Sequence, residues 1–167
     1  MIRRPIPWRP TARTGPRQGV AVDARTMKRI IAEAENPIVV AGPKVRHDPL
    51  YLELALGISK RYGAPIFATG GSIRAFAEKG VKARQIGLLQ LVNRLLDPEW
   101  KVGKGRVDVA VFIGTEYAIA NNVFSTLKNW GDVKTLSISP YFQPNATVSF
   151  GNTSEEIFKE YMEELQR

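Results

Sequence analysis

RVDVAVFIGT, residues 106–115, decides how the rest of the chain reads. Val107 to Ile113 is apolar throughout except Asp108, and Gly114-Thr115 closes the run. A strand that is apolar without alternation has no solvent face, so it predicts a parallel sheet covered on both sides. Outward from it the same texture recurs. Ile38-Val39-Val40-Ala41 is closed by Gly42-Pro43, and Pro65-Ile66-Phe67-Ala68-Thr69 is followed by Gly70-Gly71-Ser72. Lys134 to Ser139 alternates, with Leu136 and Ile138 on one face, and Ala146 to Phe150 is a further short strand.

Helical patterns fill the intervals. Asp23 caps a helix carrying Met27, Ile30, Ile31 and Ala34 at helical spacing, ended by Asn36-Pro37. Asp48 caps a second helix with Pro49 in its first position, a stripe of Leu50, Leu54, Ala55, Ile58 and Tyr62, and a stop at Gly63. A short helix from Ser72 to Lys79 ends at Gly80, and a longer one from Ile86 to Leu96 stops at Asp97-Pro98. Ala120, Val123, Phe124 and Leu127 mark another, closed by Gly131. Thr153 and Glu156 form a capping box before Ile157, Phe158, Tyr161, Met162 and Leu165. Helices alternating with buried strands predict one three-layer α/β/α doubly wound domain over residues 20–167.

Residues 1–19 stand apart as an extended Arg/Pro-rich arm. Arg3, Arg4, Arg9, Arg13 and Arg17 have no acidic neighbour and are interleaved with Pro5, Pro7, Pro10 and Pro16. Trp8 is its candidate aromatic anchor for a partner. Prolines occupy the place where a secretory leader needs an apolar helix, and no run spans a bilayer, so the expected location is cytoplasmic. The Asn145-Ala146-Thr147 and Asn152-Thr153-Ser154 triplets then have no glycosylating compartment.

Of the 167 residues, none is Cys and one is His. That excludes a thiolate nucleophile, an iron–sulfur cluster or Cys-type zinc site built by this chain, and any multi-His metal centre. The formal charge of +8 is unevenly placed. Residues 1–17 contribute +5, residues 18–150 contribute +6 and residues 151–167 contribute −3. A basic arm, a moderately basic body and an acidic last helix suit docking on an acidic protein surface at least as well as nucleic acid. No nucleic-acid motif accompanies the charge.

Doubly wound sheets bind ligands beyond the carboxyl ends of their strands, where the strand order reverses. Gly42, Pro43, Thr69, Gly70, Gly71, Ser72, Gly114, Thr115 and Glu116 are therefore the candidate nucleotide crevice. No Gly-x-Gly-x-x-Gly opens a helix after a strand, and Gly103-Lys104-Gly105 precedes a strand, the wrong context for a phosphate cradle. Glycine also ends strands for structural reasons alone. His47 reads as a solvated loop residue, and Tyr117, Asn121 and Asn122 face either the crevice or solvent. Arg74, Lys79, Lys82 and Arg84 form a basic stretch beside a glycine loop. No catalytic residue and no metal ligand is assigned.

The order ENPIVVAGP, LELALGISKRYGAPIFATGGSI, RVDVAVFIGT resembles the DHS-like NAD/FAD-binding domain found in thiamine-diphosphate enzymes and sirtuins. LLDPEW, NVFSTLKNWGDVKTLSI and QPNATVSFGN are similar to the epsilon subunits of archaeal acetyl-CoA decarbonylase/synthase, over about residues 19–167. The resemblance implies six parallel strands in the order 3-2-1-4-5-6, with the strands ending at Gly42 and Gly114 flanking the switch point. It further implies an accessory subunit of an alpha2–epsilon2 carbon monoxide dehydrogenase component. Nickel and iron–sulfur clusters then sit in the alpha subunit, FAD is the candidate cofactor, and a homodimer is the candidate state in isolation. The alternatives are a stand-alone FAD- or NAD-binding protein of the same fold and a nucleic-acid-binding module.

Overall fold

The computed structural model describes residues 15–167; residues 1–14, with Trp8 and most of the arm, lie outside it. Seven parallel strands form one sheet. They are β1 (Val20–Ala21), β2 (Pro37–Ala41), β3 (Ile66–Ala68), β4 (Arg84–Gln85), β5 (Val109–Ile113), β6 (Lys134–Ile138) and β7 (Val148–Ser149). The spatial order is β1-β7-β6-β5-β2-β3-β4. The chain builds outward from β2 to β4, returns to β5, and builds the other way to β7. The strand count is thus corrected from six to seven. The addition, β1, pairs with β7 through Val20↔Val148 and Ala21↔Ser149.

Six helices cover the sheet: α1 (Ala24–Ala32), α2 (Pro49–Tyr62), α3 (Ile73–Glu78), α4 (Leu88–Leu96), α5 (Tyr117–Trp130) and α6 (Glu155–Gln166). Neighbouring residues of one strand point to opposite faces. Val39, Ala41, Val111 and Ile113 join a core with Met27 of α1, Leu54 of α2, Phe76 of α3 and Met162 of α6. Ile38, Val40, Ala110 and Phe112 join the other core with Leu91 of α4 and Phe124 of α5. Every residue of β2 and β5 is buried, which is why these strands show no alternation.

Local chemistry sets the element ends. Asp48 accepts the Leu50 N–H at 2.9 Å, with Pro49 in the first turn where a missing N–H costs nothing. Gly63 stops α2 at φ 63°, a left-handed conformation that disfavours a side chain. The expected Thr153–Glu156 capping box is corrected by one residue. Ser154 is the cap and accepts the Ile157 N–H, while the Thr153 N–H donates to the Pro140 carbonyl at 2.9 Å. Thr153 is thereby bound to the loop after β6 and cannot cap the helix.

Asp23 caps α1, its carboxylate accepting the Thr26 N–H at 2.8 Å. That bond from the Thr26 backbone holds the carboxyl below its ordinary value. A depressed folded value means that the unfolded chain takes up the proton first. The cap's stabilisation is therefore present above about pH 4 and fades as pH falls through the folded value. Asp23→Ala is expected to cost about 1 kcal/mol at pH 7 in urea melts. The gap from wild type should narrow in melts at pH 3; a gap independent of pH would refute the charged cap.

Candidate functional site

The nine crevice residues come together at the carboxyl edge, but the polar groups of Gly42, Thr69 and Ser72 turn inward. The Gly42 N–H donates to the Ile113 carbonyl at 2.8 Å, and the Lys44 N–H donates to the Gly114 carbonyl at 3.1 Å. Gly42 is buried directly against the Gly114 carbonyl and the Thr115 backbone. Gly114 has φ 69°, and a Cβ there would lie 3.2 Å from the Val45 nitrogen. The two glycines therefore let the loops after β2 and β5 close on each other across the switch point. Pro43 offers no N–H and opens a 3-10 turn, Pro43–Arg46, that covers the junction.

The third loop is spent in the same way. The Thr69 N–H, the Thr69 hydroxyl and the Ser72 hydroxyl all donate to the Ala41 carbonyl, at 2.9, 3.0 and 3.1 Å. Gly70 and Gly71 are exposed, with Arg46 lying over Gly71. Glu116 is the exposed residue at the α5 N-terminus, where its carboxylate opposes an incoming phosphate. The open space on this edge lies to one side, in a groove of about 340 Å³ bordered by Asp48, Leu50, Tyr51, Pro140, Tyr141 and Phe158. Burial, and then the Asp48 charge, push the Tyr51 phenol up to about 12, so it remains neutral at physiological pH.

The remaining candidates are placed individually. His47 is exposed. Tyr117 donates its hydroxyl to the Phe142 carbonyl at 3.0 Å, and Asn121 accepts from the Asn145 amide at 3.0 Å. In the basic stretch Arg74 pairs with Glu78 at 2.8 Å and Lys79 with Glu53 at 3.0 Å. The Arg84 guanidinium lies 5.6 Å from the Phe67 ring centroid. These are exposed pairs and one stacking contact rather than a convergent anion site.

QPNATVSFGN, residues 143–152, is a buried polar strut. Gln143 Nε2 donates to the Tyr117 carbonyl at 3.0 Å, fixing the start of α5. Asn145 Oδ1 accepts from Lys128 Nζ at 2.7 Å, fixing its end. Thr147 and Thr135 exchange backbone-to-hydroxyl bonds at 3.0 Å, joining β6 to the β7 approach. The Pro144 carbonyl accepts the Gly19 N–H at 2.7 Å, seating the entry to β1. The run that carries the family resemblance thus positions α5, β1, β6 and β7.

Asn36 organises the opposite end of the sheet, a role the sequence reading missed. Its Nδ2 donates to the carbonyls of Val102, Gly105 and Arg106 at 2.7, 2.9 and 3.0 Å. Its Oδ1 accepts the Lys104 N–H at 3.2 Å. Asp108, immediately before β5, accepts the Asn36 and Glu35 N–H groups at 2.9 and 2.7 Å. The only local signal is an Asn before a Pro that opens a buried strand, and its partners stand 66 to 70 residues away.

Among the described residues no group of three or more His, Cys, Asp or Glu side chains is placed to hold a metal. None of their helices is long and apolar enough to cross a membrane. The fold and its edge define a doubly wound parallel α/β domain whose switch point is closed by its own backbone. A family description, CO dehydrogenase beta subunit/acetyl-CoA synthase epsilon subunit, matches residues 2–167, and the chain belongs to that family. The match takes in most of the arm, correcting the expected start near residue 19.

The acetyl-CoA decarbonylase/synthase complex subunit epsilon of Methanothermobacter thermautotrophicus is 34% identical over 165 residues, 97% of this chain and 95% of that protein. The corresponding subunit of Methanothrix soehngenii is 36% identical over 155 residues, 90% of this chain and 82% of its own length. Subunit epsilon 2 of Methanosarcina mazei is 36% identical over 139 residues, 82% of this chain and 81% of that protein.

Proposed function

We propose that this chain is the accessory epsilon subunit of the CO dehydrogenase component of acetyl-CoA decarbonylase/synthase, stabilising an alpha subunit that holds the nickel and iron–sulfur chemistry. One observation carries the accessory part: most of the buried polar side chains gathered at the carboxyl edge are engaged within the chain. Thr69 and Ser72 satisfy the Ala41 carbonyl, Gln143 Nε2 the Tyr117 carbonyl, and Asn145 the Asn121 and Lys128 side chains, while Gln143 Oε1 is buried without a hydrogen-bond partner. The family membership and the printed names of the relatives support the assembly. A sequence with no Cys and one His is consistent with metal chemistry on a partner.

FAD is the candidate cofactor of the same edge. A pyrophosphate needs open backbone N–H groups. Gly42 and Lys44 donate theirs across the β2–β5 junction and Pro43 has none, so the exposed Gly70-Gly71 turn is where a phosphate would approach. No flavin step is assigned to this chain. Co-expression with a tagged alpha subunit tests the reading. Wild type should be retained on alpha in near-equal amounts and should raise the temperature at which alpha loses CO oxidation. Failure of both would overturn it. Quenching of FAD fluorescence by the isolated chain at micromolar concentration would favour the stand-alone flavin-binding alternative.

A further inference from the structure

We propose that the β1 edge and the C-terminal end of α5 form the face with which this chain grips an acidic protein partner, Trp130 serving as its apolar anchor. The proposal rests on the function proposed above, which supplies the partner: the alpha subunit. Trp130 is 80% exposed, the most exposed large apolar side chain among the described residues, and Val20 is 60% exposed. A groove of about 350 Å³ runs beside them, bordered by Arg17, Val20, Lys128, Gly131, Asp132 and Lys134. Exposed Trp set among cations is the composition of a binding hot spot.

The chain concentrates positive charge at this face. Arg17 Nη2 donates to the Lys128 carbonyl at 2.7 Å, fastening the incoming chain to the end of α5. The bordering acid, Asp132, faces Arg106 at 3.7 Å. Arg17, Lys128 and Lys134 therefore border the groove with a single acid, and that basic rim suits an acidic partner.

One feature selects protein over nucleic acid. The exposed Trp130 and Val20 call for an apolar counterpart, which a protein surface supplies.

Retention on tagged alpha subunit, measured across a salt series, tests the face. Trp130→Glu should lower retention about tenfold or more, as expected for a hot spot. Lys134→Glu should lower it severalfold and flatten its salt dependence. Leu89→Glu, on the equally exposed Leu89 of α4, should bind as wild type does. All three should melt within about 2 °C of wild type, because the altered side chains are exposed. If wild type binds alpha and Trp130→Glu binds equally well, this face is wrong while the proposed function survives. If wild type itself fails to bind alpha, the proposed function falls first. Loss of self-association in sedimentation, or of RNA binding in a gel shift, with alpha retention intact would overturn the proposal in favour of a second copy or nucleic acid.

Discussion

Gly42→Ala is expected to lower the melting midpoint by about 10 °C, equivalent to about 3–4 kcal/mol for a chain of this size. The backbone itself is not the obstacle. Gly42 has φ −89° and ψ −177°, which alanine adopts freely. The obstacle is space: the added Cβ would meet the Gly114 carbonyl and would sit 2.5 Å from Thr115 Cα and 2.6 Å from its nitrogen. All three neighbours are backbone at the end of a buried strand, so no side chain can swing aside. Relief requires the β2 and β5 loops to part, which breaks the Gly42–Ile113 and Lys44–Gly114 hydrogen bonds. Each such bond contributes about 1 kcal/mol, and overpacking adds about 1–3 more.

Gly57→Ala is the matched control. Gly57 lies within α2 with nothing near its would-be Cβ, so alanine there should stabilise by roughly 1 kcal/mol. Differential scanning calorimetry on the pair separates the effects. A Gly42→Ala midpoint within about 2 °C of wild type would show that the switch point opens easily, and would restore a nucleotide to consideration there.

Asn36 carries the second large effect. Asn36→Ala should cost about 3 kcal/mol, because it strands carbonyls that have lost their donor in a site where Asn36 is only 8% exposed. Asn36→Asp distinguishes hydrogen bonding from packing. It preserves shape and leaves an oxygen for the Lys104 N–H, yet places a second oxygen against the Val102, Gly105 and Arg106 carbonyls. If packing alone mattered, the aspartate would be neutral. The expectation is a loss at least as large as that of alanine. Hydrogen exchange across Val102–Arg106 should accelerate in both variants, and unchanged exchange there would remove Asn36 as the organiser of that loop.

How much of this was legible in the sequence depended on the range of the interaction. The strands β2, β3 and β5 could be read because burial on both faces forces apolar runs of local length, and β6 because Leu136 and Ile138 alternate with polar residues. Helices α1 and α2 could be read because Asp23 and Asp48 act within three residues of themselves. β1 and β4 escaped, since two residues each, Val20–Ala21 and Arg84–Gln85, carry no periodicity and become strands only by pairing with β7 and β3. The capping box slipped by one because Thr153 is engaged by Pro140, thirteen residues away. The crevice was the instructive case: all nine residues do gather at one edge, but a glycine's empty side looks the same in sequence whether a ligand or another backbone fills it.

The sequence by itself determined a parallel sheet covered on two faces and a chain that offers no Cys ligand to a metal cluster, because periodicity and ligand inventory are properties of the linear chain. Only the tertiary structure decided that Gly42 and Gly114 close the switch point, that Asn36 ties down a loop 66 to 70 residues away, and that Trp130 stands free beside the root of the basic arm. Those outcomes rest on which groups meet across the fold. Hydrogen-bond satisfaction and steric exclusion act between groups in space, whatever their separation along the chain.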